Sequence, residues 1–312
     1  MPLTRRSLLG AAPLALPALR ARAAGGKVVR AGFQKGEPIL MAAKENRELE
    51  KALEPLGYTV TWTEFQFGPP MLEAMRVGSI DVGGVGDTPP IFAQAARADL
   101  VYIGAQRAGL SAILLPPGSR VEALQDLKGK RIAFGRGSSA HAFLIMALEK
   151  AGIGYDEIQP IALGPADAGA AFERGAIDAW SIWDPYIALF QSRPGVRTLV
   201  TNKDIGEQNS FFIARRDFAE ANAAATATVM EAFARTAQWG GQHRPEVAAL
   251  LSNATGMPPE VMQRAIGRLP FQVLPMSDGL VQSQQAIADR FRALSILPVQ
   301  IKVADAVWHA NA

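Results

Sequence analysis

Gly135-Arg136-Gly137-Ser138-Ser139-Ala140-His141 is the stretch whose residue types point most directly to chemistry. It follows an apolar run, Arg131–Phe134, and opens a helix-period segment running from Ala142 to Ala151. Free backbone N–H groups and the helix dipole attract an anion at such a junction. Ser138 and Ser139 add hydroxyl donors there without adding charge, and His141 completes the candidate set. The competing duty for either serine is to cap the helix, a role that contributes about 1 kcal/mol. Arg136 supplies the one nearby positive charge. The loop lacks the GK[ST] of a phosphate loop and the G-x-S-x-G of a nucleophile elbow. Gly84-Val85-Gly86 runs on to Pro89 instead of a third glycine and so fails as a dinucleotide fingerprint. With no cysteine, and with His141, His243 and His309 far apart, neither a thiolate site nor an HExxH metal site is encoded. No catalysis, no metal and no cofactor are expected.

Three further loops carry polar residues at a strand-to-helix junction. Gln34–Pro38 follows the apolar strand Val28–Phe33. Gly86-Asp87-Thr88-Pro89 offers backbone donors and the Thr88 hydroxyl, although Asp87 repels an anion and suits capping better. Trp183-Asp184-Pro185-Tyr186 closes a strand, with Trp183 placed to wall a cleft and Trp180 to sit in the core.

These loops belong to a pattern that occurs twice. Gly78-Ser79-Ile80-Asp81, followed by Asp87, matches Gly175-Ala176-Ile177-Asp178, followed by Asp184, at an offset of 97 residues. Each copy follows a short helix, and each half opens with a strand and a glycine turn. Alternating strands and helices define an α/β fold, here read as two lobes of like construction. In open α/β sheets, ligands bind beyond the carboxyl ends of the strands, so facing lobes close a cleft between the four loops. The apolar runs Ser111–Leu115 and Ser210–Ala214 suit two strands that cross between lobes. The expected division is residues 25–115 with 211–312 as a discontinuous lobe one, and 116–210 as lobe two. Asp217 to Leu294 reads mostly as helix.

Residues 1–24 read as an export signal of the twin-arginine type. Thr4-Arg5-Arg6-Ser7-Leu8-Leu9 precedes a weakly apolar run and a small-x-small site, Ala21-Arg22-Ala23, while Pro13 and Pro17 break any helix. The chain carries 32 basic and 29 acidic residues, a net charge of +3. Four of those basic residues, Arg5, Arg6, Arg20 and Arg22, lie in this segment, so the remainder is near neutral. The basic footprint expected of a nucleic-acid binder therefore disappears with it. A soluble periplasmic protein is expected.

Several of these motifs together resemble the aliphatic sulfonate-binding proteins of ABC importers. They include Gly32-Phe33-Gln34-Lys35-Gly36, Gly86-Asp87-Thr88-Pro89-Pro90-Ile91-Phe92-Ala93-Gln94-Ala95-Ala96 and Gly137-Ser138-Ser139-Ala140-His141. Pro165-Ala166-Asp167-Ala168, Ile182-Trp183-Asp184-Pro185-Tyr186 and Ser210-Phe211-Phe212 extend the likeness in the same order. The resemblance implies a two-lobed periplasmic binding protein, monomeric, holding an alkanesulfonate for a membrane permease and its ATPase. It places Gln34, Gly86, Asp87, Thr88, Ser138, Ser139, His141, Trp183, Asp184, Ser210 and Phe212 around the ligand, with the tail against Trp183 and Phe212. On this reading alkanesulfonates bind more tightly than inorganic sulfate, and taurine is intermediate at best. Related proteins for taurine, nitrate or pyrimidine precursors share the expected fold, and an exported enzyme on the same scaffold is the alternative from another class.

Overall fold

The computed structural model describes residues 27–309; the expected export signal lies outside them. The chain opens with β1 (Lys27–Gln34), α1 (Pro38–Glu45), α2 (Glu48–Leu53), β2 (Tyr58–Phe65), α3 (Gly68–Arg76), β3 (Val82–Gly86), α4 (Thr88–Ala95) and β4 (Leu100–Arg107). It then builds β5 (Ser111–Leu115), β6 (Arg131–Phe134), α5 (Ser139–Ala151), β7 (Gln159–Ala162), α6 (Pro165–Glu173), β8 (Ala179–Trp183), α7 (Tyr186–Gln191), β9 (Arg197–Thr201) and α8 (Asn202–Ile205). The remainder is β10 (Asn209–Arg215), α9 (Arg216–Ala221), α10 (Ala223–Gln242), α11 (Arg244–Thr255), α12 (Pro259–Arg268), β11 (Val273–Leu274) and α13 (Asp278–Ala293).

The strands form two sheets with the orders β11-β4-β10-β3-β1-β2 and β7-β6-β8-β5-β9. In the first, β1 runs parallel to β2 and β3, and β10 lies antiparallel between β3 and β4. In the second, β6 runs parallel to β7 and β8, and β5 lies antiparallel between β8 and β9. The two cores repeat one plan, and each antiparallel strand is the one that has just arrived from the other lobe. Ser111–Leu115 and the run around Ser210–Ala214 are thus both strands that follow a crossing, but each belongs to the sheet it enters. The expected boundaries at 115 and 211 are corrected accordingly: β5 is part of lobe two, and β10 enters lobe one from Asn209. The connections themselves are short, around Ala108–Leu110 and Gly206–Gln208, and Ala108 N–H donates to the Gln208 carbonyl at 3.1 Å.

The sequence repeat has a structural cause. Asp81 accepts hydrogen bonds from the backbone N–H and the guanidinium of Arg30, and Asp178 accepts the equivalent bonds from Arg131. In return, Asp81 N–H donates to the Arg30 carbonyl and Asp178 N–H to that of Arg131, each at 2.8 Å. An arginine on β1 of lobe one and another on β6 of lobe two therefore clasp the turns that lead into β3 and β8. Such charge-assisted, forked bonds fix geometry as well as energy. Gly78 and Gly175 precede these turns at φ +75° and +66°, a left-handed conformation that ends the preceding helix and favours glycine.

Each sheet is buried on both faces. In lobe one, Val29, Phe33, Leu40, Phe212 and Phe233 fill one side, while Met71, Ile91, Tyr102, Phe211 and Phe291 fill the other. In lobe two, Phe134, Phe143 and Leu144 under α5 oppose Phe172, Trp180 and Phe190 beneath α6 and α7. Trp180 is fully buried, as its position in the strand predicts. No helix among the described residues is long and apolar enough to cross a membrane.

Candidate functional site

A cavity of about 810 Å³, its mouth included, opens between the lobes. Lobe one contributes Gln34–Pro38, Gly86 and Pro89, and lobe two contributes Ser111, Ser138, Ser139 and Trp183–Pro185. The crossing segments supply Ala108–Leu110 and Gln208, and α11 and α12 bring Leu251, Met262, Ala265 and Ile266. The four strand-to-helix loops singled out in the sequence thus converge on one space. Their carboxyl-end placement is the one the α/β rule requires.

The polar end of the cavity is the start of α5. His141 and Ala142 N–H groups donate to the Ser138 carbonyl, and the N–H groups of Ser139 and Ala140 have no intramolecular partner among the described residues. Two free amides at a helix N-terminus make an anion-binding position. The Ser138 hydroxyl is already committed, donating to the Gly135 carbonyl at 2.7 Å, whereas no such bond engages the Ser139 hydroxyl. Neither serine caps α5 through its side chain, so the capping duty is not the one observed. The lobes approach closely here: a Cβ on Gly86 would meet Ser139 Cβ at 2.8 Å, and one on Gly36 would meet Trp183 Nε1 at 2.7 Å.

The cavity takes in Gln34, Gly86, Ser138, Ser139, Trp183, Asp184 and Ser210 from the expected set, and leaves four others out of its wall. Asp87 is buried behind β3, accepting from the Thr88 hydroxyl at 2.8 Å and from Gln208 Nε2 at 2.9 Å. It does not cap its helix by side chain, and burial pushes its carboxyl up to about 6. Thr88 spends its hydroxyl on that carboxylate and is fully buried. His141 turns into the core, stacked on Phe134 at 4.4 Å between centroids and edge-on to Phe291 at 4.9 Å. Its Nδ1 accepts from Gly137 N–H and its Nε2 meets the Tyr155 hydroxyl at 3.0 Å, so both ring nitrogens are engaged. Burial drives its pKa down to about 3, which keeps the ring neutral. Phe212 is the fourth. It shares a sheet face with Ser210 but lies two residues deeper along β10, stacked on Phe233 at 4.9 Å. The apolar wall is formed instead by Trp183, Leu251, Met262, Ile266 and Leu269. Arg136 is exposed and also lies outside the lining.

Sequence reading missed Glu37, Gln208 and the α11–α12 wall. Gln208 links the lobes, donating to Asp87 Oδ2 and, at 3.2 Å, to the Ser139 carbonyl. Asp184 accepts from Ala188 N–H at 3.0 Å at the start of α7 and lies 3.4 Å from Arg268 of α12. Burial raises its carboxyl and the Arg268 charge lowers it, with burial the larger. Glu37 was legible only as the residue before Pro38; nothing local to it marks a buried side chain. Among the described residues, no cluster of three or more His, Cys, Asp or Glu side chains is placed to hold a metal.

Two lobes of one plan, joined by two crossings and closing over a mixed polar and apolar cavity, define a two-lobed substrate-binding protein. The chain belongs to the NMT1/THI5-like family, whose profile matches residues 70–247. It is 39% identical over 285 residues to an Escherichia coli (strain K12) protein described as aliphatic sulfonates-binding, covering 90% of this chain and 89% of that one. The alkanesulfonate-binding protein SsuA from Xanthomonas axonopodis pv. citri, solved bound to MOPS, superposes with a TM-score of 0.86 at 40% identity. That match covers 90% of this chain and 98% of the other. The periplasmic aliphatic sulphonate-binding protein SsuA from Escherichia coli gives a TM-score of 0.83 at 38% identity, covering 91% and 93% of the two chains.

Proposed function

We propose that this protein is the substrate-binding component of an ABC importer and holds aliphatic sulfonates between its lobes. The observation that carries the reading is the start of α5, where Ser138 and Ser139 line a cavity walled on another side by apolar residues and the Ser139 and Ala140 amides are unpaired among the described residues. A sulfonate is fully ionised and only accepts hydrogen bonds, so neutral donors at a helix end suit it. Its tail then lies along Trp183, Met262 and Ile266. The relatives described as sulfonate-binding, at about two-fifths identity over nine-tenths of the chain, support the same ligand class.

The protein binds and delivers its ligand without chemistry on it. His141, the base a serine would need, is buried with both nitrogens occupied, and this supports a non-catalytic role. It works as an exported periplasmic monomer, carried by the twin-arginine signal at residues 1–24, and hands its ligand to a membrane permease driven by an ATPase. The head group sits on Ser139 and the α5 amides, and closure of the lobes excludes water around it.

Calorimetry in phosphate buffer with ethane-, butane- and hexanesulfonate, sulfate and nitrate tests the reading. Affinity is expected to rise along the sulfonate series by about 0.8 kcal/mol per buried methylene until the cavity is full. Ser139→Ala is expected to weaken every sulfonate by about tenfold or more, the loss of one hydrogen bond to a charged group. Tightest binding of sulfate or nitrate, or affinity flat with chain length, contradicts it.

A further inference from the structure

Among the described residues, Glu37 is a carboxylate in the wall of this cavity with no counter-ion. It ends the β1–α1 loop, is 5% exposed and lines the space between the lobes. Among the described residues its one side-chain partner is Gln106, whose Nε2 donates to Oε2, and no salt bridge reaches it. The other charges of the lining are matched. Lys35, on the same loop, lies 3.7 Å from Glu64, and Asp184, facing from the β8–α7 junction, lies 3.4 Å from Arg268. Burial pushes the Glu37 carboxyl up to about 7, and the Gln106 hydrogen bond offsets it only in part.

Its position relative to the head-group end follows from the strand beneath. A Cβ on Gly84 would lie 3.5 Å from Glu37 Oε2, and one on Gly86 would lie 2.9 Å from Ser139 Oγ. Residues two apart on a strand share a face and are separated by about 7 Å. Gln106, which holds Glu37, pairs with Ser210, and Ser210 pairs with Gly86, so one row across the sheet underlies both ends. A sulfonate on Ser139 therefore directs its tail along a wall in which a lone carboxylate stands about 7 Å away. A saturated tail gains from the apolar wall but strips water from that carboxylate and gives it no partner, whereas a cation there supplies one.

We propose that Glu37 makes the cleft selective for zwitterionic sulfonates, in which a protonated nitrogen two or three carbons from sulfur sits on the Glu37 carboxylate while the head group sits at α5. This rests on the sulfonate reading above and revises the expectation that an ammonium in the tail weakens binding.

The test uses 3-aminopropanesulfonate and butanesulfonate, which differ by –NH₃⁺ against –CH₃ at one end. Both are titrated calorimetrically into the full chain at pH 7.5 in phosphate, free of sulfonate buffers, with Glu37→Gln in parallel and its folding checked by thermal unfolding. The wild type is expected to bind the aminosulfonate at least tenfold more tightly, and Glu37→Gln to invert that preference by weakening the aminosulfonate and strengthening butanesulfonate. Tighter binding of butanesulfonate by the wild type, or an equal loss for both ligands in Glu37→Gln, overturns the proposal while leaving the sulfonate reading standing. Binding of neither sulfonate to the wild type overturns both. If Glu37→Gln does not fold, the comparison of the two ligands on the wild type alone decides.

Discussion

Glu37 and Ser138 show how differently two residues of one cavity are encoded. Ser138 was visible as a hydroxyl at a helix start, yet its proton goes to the Gly135 carbonyl, so Ser139 is the serine with a hydroxyl to offer. Which of two adjacent serines turns inward depends on the local backbone, and residue type does not carry that. Glu37 looked like one more acidic residue ahead of a helix, because burial by a distant strand leaves no local mark. Its environment makes a pH prediction. Burial moves the carboxyl from 4.5 to about 7, so the folded state keeps a proton that the unfolded chain has already released. The stability tied to that proton is fully present below the unfolded value and is lost as pH rises towards about 7. Glu37→Gln has no such proton to lose. Its unfolding free energy relative to wild type is expected to rise by about 3 kcal/mol between pH 4 and pH 8. Asp87 and His141 titrate alike in both proteins and cancel from that difference. Chemical denaturation across the range measures it, and a pH-independent difference contradicts the burial argument.

At the scale of elements, the strand–turn–helix units were legible because each carries its own signal. The Arg30–Asp81 and Arg131–Asp178 clasps explain why a short repeat survives in two lobes whose helices otherwise differ. The wall from α11 and α12 was not legible. Met262, Ala265 and Ile266 form an apolar stripe on an amphipathic helix, and such a stripe reads as core whether it faces a sheet or a ligand. Phe212 failed for the complementary reason: alternation gives the face of a strand but not the depth along it. Gly86 is where two elements of different lobes touch. Ala is allowed by its backbone, but the new Cβ would fall 2.8 Å from Ser139 Cβ, an atom held by the start of α5 and unable to swing away. Gly86→Ala is expected to weaken butanesulfonate about tenfold or more and to keep the radius of gyration at saturating ligand near its ligand-free value. Full affinity with normal compaction in solution scattering shows that the lobes need not approach so closely.

The whole molecule turns on how the lobes are joined. The crossings are short and meet at Ala108 and Gln208, and Gln208 also reaches Asp87 of one lobe and the Ser139 carbonyl of the other. Farther out, Arg268 of α12 reaches Asp184 and Gln191 of lobe two, and Arg290 of α13 reaches Glu149 of α5. The C-terminal helices thus bridge to lobe two on two sides while belonging to lobe one. Two lobes, two crossings and a cleft at the strand ends could be read from the sequence, since they follow from element order. The partners across the cleft could not, since they join residues far apart in the chain through tertiary packing alone.

The central claim is that a sulfonate lies in this cleft with its head at α5 and its tail towards α12. A crystal of the protein with 2-bromoethanesulfonate, measured at the bromine absorption edge, tests it most directly. The account predicts one anomalous peak in the interlobe cavity on the side of Trp183 and Ile266, with sulfonate oxygens within hydrogen-bond distance of the Ser139 and Ala140 amides. A bromine peak outside the cleft, or a sulfonate turned away from α5, would contradict it.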